Sequence, residues 1–551
     1  MPMPSRNTNA ARSAPRVAGP PVGRRRAGAV LGLLLLLPPA AVSARSAREE
    51  ATREFSRTLP MRAGQAFRLE HQQGDVTIAT HALAEARIVA HIRVSAPTAG
   101  EAQAALPQVA IDVQETPAAV AVRTRYPDTR ARNISYAVDY EITLPETAPL
   151  QARNSFGDVS VRGLKAEGDV RSSHGRLTFT DGRGRQRLEN SFGAVEVARI
   201  DGDVAVVSQN GAVRVTEVQG ALEVTNRFAA VEVRSVRKGA TVVNSNGNVL
   251  LADAGGPSRV TNSFGAVEAS LIRGDLTVVS GNGNVNVRAV TGAADLKTSF
   301  GALTFDDVGA RLTAVNNNGR VAGRKVGGAA SIGTSFGAVE VTQIQGDATV
   351  TNSNGEVTLR EVAGAADVRS TFGRIEVAGA PKGVRVVGGN GEVAISNVGP
   401  AYVRTSFGLV HAAGVAGSLE VENSNGAVNA ADVKGPVTVR TSFGAVVLAR
   451  VDGPLVEVRN QNGAVEVDAT GGHGCTRITL VTSFAPIRVR LAESVGYDVT
   501  ARTSFGSIRS ELPITASGSL GPDTLNGRIG AGGCALSLTD GNGNIEILKA
   551  P

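Results

Sequence analysis

The chain has 551 residues, with 57 Lys and Arg against 50 Asp and Glu, 65 Gly, 2 Cys, no Trp and 4% aromatic residues. Its formal charge of +7 belongs to the amino terminus: residues 1–44 hold six arginines (Arg6, Arg12, Arg16, Arg24, Arg25, Arg26) and no acid, so the rest of the chain has 57 less six, or 51, basic residues against 50 acidic ones. That balance excludes an electrostatic footprint for nucleic acid, and a 42% apolar fraction excludes global disorder.

In chain order, the first segment reads as an address. Arg24-Arg25-Arg26, the apolar run Ala27 to Leu37 and the small residues Val42 and Ala44 are the three parts of a secretory signal peptide over residues 1–44, with cleavage before Arg45. The apolar run is short for a membrane span. No later segment is long and apolar enough to be one, so the mature chain is expected to be extracytoplasmic (periplasm, cell surface or secreted) without an integral membrane segment.

Residues 45–150 read as an amino-terminal β cap and lead-in, with strand-like runs at Phe67–Glu70, Asp75–Ile78 and Ala86–Val94 and a helical turn between Thr98 and Leu106. Residues 151–464 are a repeat array. Ser155, Ser173, Ser191, Gln209 and their successors to Ser442 recur at every eighteenth position, with one interval shorter by a single residue before Ser406. Two short alternating strands flank a glycine corner in each unit, as in Leu276 to Val290, and helical periodicity is absent. Stacking one coil on the next explains why equivalent positions match in kind, which favours a parallel β-solenoid over an open meander. The first corner position runs Asn190, Ser208, Asn226, Asn244, Asn262 and onward to Asn460 as a ladder of small hydrogen-bonding side chains, broken once at Gly388.

The third corner position alternates: Phe192, Asn210, Phe228, Asn246, Phe264, Asn282, Phe300, Asn318, Phe336, Asn354, Phe372, Asn390, Phe407, Asn425, Phe443, Asn462. The true repeat is therefore a 36-residue pair of coils, with phenylalanines about 9.6 Å apart by twice the strand spacing. The expectation is that these rings tuck against neighbouring small residues; the rival reading is an exposed, sticky stripe. Residues 465–551 have longer units and end in Asp540-Gly541-Asn542-Gly543-Asn544-Ile545-Glu546-Ile547, read as the closing coils. Cys475 and Cys534 lie in this carboxyl-terminal region, and in an oxidising compartment a disulfide between them is the working hypothesis, with two buried free thiols as the alternative.

Catalytic signals are weak. Asp306 and Asp307 are adjacent on a strand and are expected to face opposite ways, and Asp203, Asp275 and Asp347 sit beside glycine as turn residues do. The nonapeptide calcium solenoids need an acid in every nonapeptide, and these corners lack it. His71, His81 and His91 are spaced by ten, His174, His411 and His473 are isolated, and no metal site or cofactor is expected. Arg273-Gly274-Asp275 spells a cell-attachment tripeptide that a Gly- and Asp-rich series produces by chance. Tyr126, Tyr136, Tyr140 and Tyr402 are the candidates for a sugar-stacking platform.

The signal peptide, the lead-in ending Ile142-Thr143-Leu144-Pro145, the corners Ser-Phe-Gly and Ser-Asn-Gly followed by Ala, Asn or Glu and then Val-x-Val, and the closing Gly-Asn-Gly-Asn-Ile-Glu-Ile-Leu-Lys together resemble a bacterial domain family of unknown function labelled putative adhesin, related in style to head-domain adhesin-like β-helices. The resemblance covers most of residues 60–549. It implies a β-solenoid and an envelope or surface location, and it implies no catalytic residues. The expected function is a non-catalytic interaction or envelope scaffold with envelope polysaccharide or surface proteins as partners. The alternatives are a carbohydrate-active β-helix enzyme and a purely structural envelope or stress-related protein.

Overall fold

The computed structural model describes residues 48–127, 133–470, 474–517 and 521–550; the signal-peptide reading of residues 1–44 and His473 fall outside them. From Arg48 onward the chain is one compact unit, a parallel β-solenoid of about 19 turns with coils of about 18 residues. At the usual strand spacing the stack is roughly 90 Å long.

Each coil contributes one strand to each of two sheets, which hold 25 and 26 strands among the described residues. One sheet carries the corner residues at its strand ends and is called the ladder sheet; the other is the return sheet. In the return sheet Val285 pairs with Leu303, Leu303 with Val321, Val321 with Val339 and Val339 with Val357, each partner lying one coil further along the chain. Strands alternate buried and outward side chains, so the inward Val, Leu, Ile and Ala of both sheets fill one continuous core. The core is thin, and a large side chain needs room: Phe305 lies buried opposite Gly323 of the next coil, where any Cβ would collide with the ring.

The return strand breaks its alternation at a fixed place. Asp253, Leu271, Ala289, Asp307, Lys325 and Gln343, one in each successive coil, all have φ between 53° and 64°. Gly379 and Gly414 take the same place in two coils. This left-handed residue puts two successive side chains outward before the next buried valine and bends the chain toward the following strand. It also corrects the expectation for Asp306 and Asp307, which both face solvent while Phe305 and Val308 are buried.

The two ends are built alike, and neither follows chain order. At the amino end Ala66–Glu70 lies between Ala119–Arg125 and Leu150–Phe156, and Val76–His81 lies between Ser135–Pro145 and Val159–Arg162. Beyond Ser135–Pro145, Glu85–Ala96 and then Glu49–Pro60 extend the return sheet, each antiparallel to its inner neighbour. The helical turn is a helix, Ala99–Ala105, with Thr98 as its N-cap: the Glu101 N–H donates to Thr98 Oγ1 at 3.3 Å. Ala102, Ala105 and Leu106 bury against the two outer strands.

At the carboxyl end Cys534–Asp540 lies between Arg477–Thr482 and Tyr497–Thr503, and Ile545–Lys549 lies between Ile487–Leu491 and Ile508–Ser510. The last coil in sequence is thus not the closing coil in space, contrary to the reading of Asp540–Ile547. The outermost pieces are Thr524–Ile529, antiparallel to Tyr497–Thr503, and Ile514–Ala516. Antiparallel strands at both ends turn the last parallel edge away from further stacking.

Cys475 and Cys534 are bonded across this interleaved end, with Cα atoms 5.4 Å apart and a sequence separation of 59. Closing a loop of that length is worth about 4 kcal/mol in the chain-entropy account. Replacing Cys475 with serine is expected to lower the stability of the coils after residue 474 by up to that amount and to leave the array before it untouched. Amide hydrogen exchange of the two regions in wild type and variant checks this.

Candidate functional site

The feature that the fold repeats most faithfully is the corner, and it consists of three rows. In the first, the ladder residues are buried: Asn190, Asn226, Asn244, Asn316 and Asn352 are at most 2% exposed. The Asn352 amide donates to the carbonyls of Gly337 (3.2 Å) and Gly355 (3.1 Å). Asn190 and Asn423 do the same for their own corner glycine and that of the preceding coil. The ladder closes the edge of the core by satisfying carbonyls that would otherwise be buried unpaired. The second row, Ser at most coils, is outward.

The third row is the alternating one, and here the structure overturns the expectation that the rings tuck in. Phe192, Phe228, Phe264, Phe300, Phe336, Phe372, Phe407 and Phe443 are each 47–56% exposed. The physical reason is the row of buried ladder residues two positions earlier: the core ends at that row, and a ring past it sits on the rim. In register, Phe300 pairs with Asn318, Asn318 with Phe336, Phe336 with Asn354 and Asn354 with Phe372. Asn210, Asn246, Asn318, Asn354 and Asn462 each donate an amide N–H to the backbone oxygen of the second-row residue in the preceding coil, at 3.2–3.5 Å.

At the amino end His174 takes the asparagine place and shows the ring attitude directly. It stacks between Phe156 and Phe192, with centroids 4.6 and 4.7 Å apart and interplanar angles of 14° and 9°. Here the rings lie across the solenoid axis, so the stripe turns their edges outward like teeth.

Interleaving the ends preserves this pattern. In sequence Phe484 is followed by Phe505 and only then by Asn542. In space Asn542 stands between them, because Thr482 pairs with Asp540 and Asp540 with Thr503, and its amide donates to the Ser483 carbonyl at 3.2 Å. Gln73 bridges to Phe156 at the other end. The stripe therefore alternates ring and polar side chain along its length, with eleven exposed phenylalanines from Phe156 to Phe505.

Two ladder places hold titratable groups, and residue-by-residue reading of the sequence missed both. His71 is 4% exposed, with Nδ1 3.1 Å from Thr124 Oγ1, which lies 2.7 Å from the Tyr140 hydroxyl. The signal was present: His71-Gln72-Gln73-Gly74-Asp75-Val76 aligns with Asn154-Ser155-Phe156-Gly157-Asp158-Val159. Asp540 is 2% exposed, and Asp540-Gly541-Asn542-Gly543-Asn544 aligns with Ser280-Gly281-Asn282-Gly283-Asn284.

Burial pushes His71 down to about 4, against hydrogen bonding with the Val138 and Gln73 backbone. It pushes Asp540 up to about 6, against the N–H groups of Asn542 and Gly541. The two ends should respond to pH with opposite signs. A histidine depressed on folding contributes stability that is whole above about 6.5 and is lost as pH falls toward 4. A carboxyl raised on folding contributes stability that is whole below 3.8 and is lost as pH rises through 6. Hydrogen exchange of the two caps between pH 4 and 7 is expected to show the amino cap loosening and the carboxyl cap tightening on acidification, and Asp540→Asn is expected to abolish the second trend.

The remaining candidates have structural partners. Asp203, Asp275 and Asp347 accept the backbone N–H of Ala221, Ala293 and Ala365 in the next coil at 2.8–2.9 Å. Asp306 is held by Arg324 at 3.0 and 2.9 Å, and that hydrogen bond lowers its carboxyl below the usual range, the reverse of what a general acid needs. In the tripeptide, Arg273 pairs with Asp253 at 2.9 Å and Asp275 is engaged as above. Tyr136 and Tyr140 are buried in the amino cap, where Tyr140 meets His71 edge-on at 4.9 Å; Tyr402 lies outward beneath Arg385. His81 accepts the Leu83 N–H and His91 is exposed on Glu85–Ala96. Among the described residues no group of three or more His, Cys, Asp or Glu lies close enough to hold a metal ion, and no helix is long and apolar enough to cross a membrane. A shallow groove of about 500 Å³ runs beside the stripe, lined by Ser406, Ser424 and Ser442 with Arg404, Arg440 and Glu422.

No protein-family model and no curated protein matches the chain. Among solved structures, a putative cell adhesion protein from Clostridium sporogenes is matched over 38% of this chain and 100% of that one, at 11% identity and a TM-score of 0.16. A likeness of that extent carries no argument about fold or function.

Proposed function

We propose that the chain is a non-catalytic, extracytoplasmic, adhesin-like scaffold that binds through the corner stripe of its solenoid. The observation that carries this reading is the row of half-exposed phenylalanines. At roughly 100 Å² of exposed ring each the eleven amount to about 1,000 Å² of apolar surface along one edge, with a polar side chain between successive rings. A side chain that the fold does not bury, yet repeats in every second coil, is a contact surface. The arginine-bearing sequence of residues 1–44 supports export, and the resemblance to the adhesin-labelled bacterial family supports an envelope or surface role.

The partners are envelope polysaccharide or surface proteins, held by many equivalent weak contacts. The test is a pull-down with the chain from Arg45 onward against peptidoglycan, outer-membrane and exopolysaccharide fractions, with polymer cleavage assayed alongside retention. Saturable retention without cleavage is expected. Cleavage would transfer the chain to the carbohydrate-active enzymes, and no retention would make it a structural spacer.

A further inference from the structure

We infer that the stripe pairs with the stripe of a second copy of this chain, two solenoids lying side by side and antiparallel along their phenylalanine edges. This rests on the reading above that the stripe is a contact surface, and the pair is the state of the chain while no envelope partner occupies the stripe. Three observations select a second copy as its occupant.

The first is size. About 1,000 Å² of exposed ring per copy exceeds the roughly 800 Å² that each partner contributes to a stable protein interface. The second is pitch. Teeth that recur every two coils, about 9.6 Å apart, with a shorter side chain between them, are complementary to a comb of the same pitch displaced by one coil, and a second copy has that pitch by construction. Phenylalanines of one copy would then lie over asparagines of the other, with rings from the two copies about 4.8 Å apart along the stack, the spacing of stacked aromatics in a cross-β zipper.

The third is symmetry. A two-fold axis parallel to the solenoid would place Phe against Phe at equal height, and a parallel pair shifted by one coil would not close on itself. A two-fold axis perpendicular to the solenoid gives the displacement and closes as a dimer, each stripe meeting the other's. Sliding such a pair by two coils removes a pair of rings at each end, so full overlap sets the register. The stripe offers no charge to oppose this: its places are filled by Phe and Asn, with His174 and Gln73 at the amino end. Asn210, Asn246, Asn318, Asn354, Asn462 and Asn542 each have an amide N–H already engaged by a backbone oxygen of the preceding coil in the stack, which lowers the cost of excluding water from them.

The experiment is analytical ultracentrifugation of the chain from Arg45 onward, wild type and two charged variants, Phe300→Asp with Phe336→Asp and Phe300→Lys with Phe336→Lys. These rings are 52% and 56% exposed, so both variants are expected to fold, and their melting temperatures report whether they do. The expected result is a wild-type dimer at micromolar concentration, at least about tenfold weaker dimerisation of either variant alone, and recovery of the dimer when the two variants are mixed. A wild-type chain that stays monomeric, or charged variants that dimerise as wild type does, would overturn the inference. Retention on the envelope fractions separates the two failures. A monomer whose retention is lost in the charged variants leaves the stripe a binding surface for another partner. A monomer whose retention the variants do not change removes the stripe from both accounts.

Discussion

Deleting residues 534–551 is expected to expose the coil that precedes them in sequence. The strands Cys534–Asp540 and Ile545–Lys549 stand between coil 477–491 and coil 497–510 in both sheets. Their removal takes Leu536, Leu538, Ile545 and Ile547, all at most 1% exposed, out of the core. At about 1.5–3 kcal/mol for each buried side chain, the loss at this end is roughly 6 kcal/mol or more. Coil 497–510 then has no partner on its inner side. Amides of 497–503 are expected to exchange at unfolded rates, while the array from residue 177 to 451 keeps its protection, because each coil of a solenoid depends on its neighbours alone. A stack in chain order would instead lose only its tip, and 497–503 would stay protected.

A single substitution in the ladder is expected to have the next largest effect. In Asn352→Asp, the two N–H···O bonds to Gly337 and Gly355 are replaced by an anion facing the same two carbonyls at a site 2% exposed. The cost is about 3 kcal/mol or more at pH 7, because the carboxylate is desolvated with only the Asn354 N–H, which donates to Asn352 Oδ1 at 3.2 Å, to hold it. The sign of its pH dependence follows from the same geometry. Burial raises the introduced carboxyl above its ordinary range, so the penalty should shrink as the solution is acidified through that raised value. Asn352→Ser puts in a residue that the ladder uses at Ser208 and Ser280, and is expected to cost only about 1 kcal/mol. Urea unfolding of the three proteins at pH 7 and pH 4 checks both the order and the sign.

The repeat carried most of the fold. A constant interval between corners, alternating valines and the corner glycines specify parallel stacking, and the pairings of the array follow that interval coil by coil. What periodicity could not supply was anything that departs from it. Asp306 and Asp307 face the same way because a left-handed residue recurs at one place in the return strand, and that conformation has no signature when Asp, Leu, Lys and Gln all occupy it. The interleaved ends escaped a reading that took the coils in chain order, although the alternation held the clue: Phe484 and Phe505 are successive in sequence, and only Asn542 placed between them restores the pattern. The phenylalanines were misplaced for a related reason. Apolar character predicts burial, but the core stops at the buried Asn, Ser and Thr row two positions earlier, and where a core stops is a property of the stack that one coil does not show.

The claim that most of the functional reading rests on is that the rings serve contact and not folding. Its most direct test is the unfolding free energy of a triple variant, Phe264→Ser, Phe300→Ser and Phe336→Ser, measured by urea denaturation below the concentration at which the chain associates. Rings that are half in water contribute little to the fold, and the prediction is a loss of no more than about 1 kcal/mol for each substitution. A loss of about 3–5 kcal/mol for each, the range for truncating a core phenylalanine, would mean that the stripe is packing and would contradict the account.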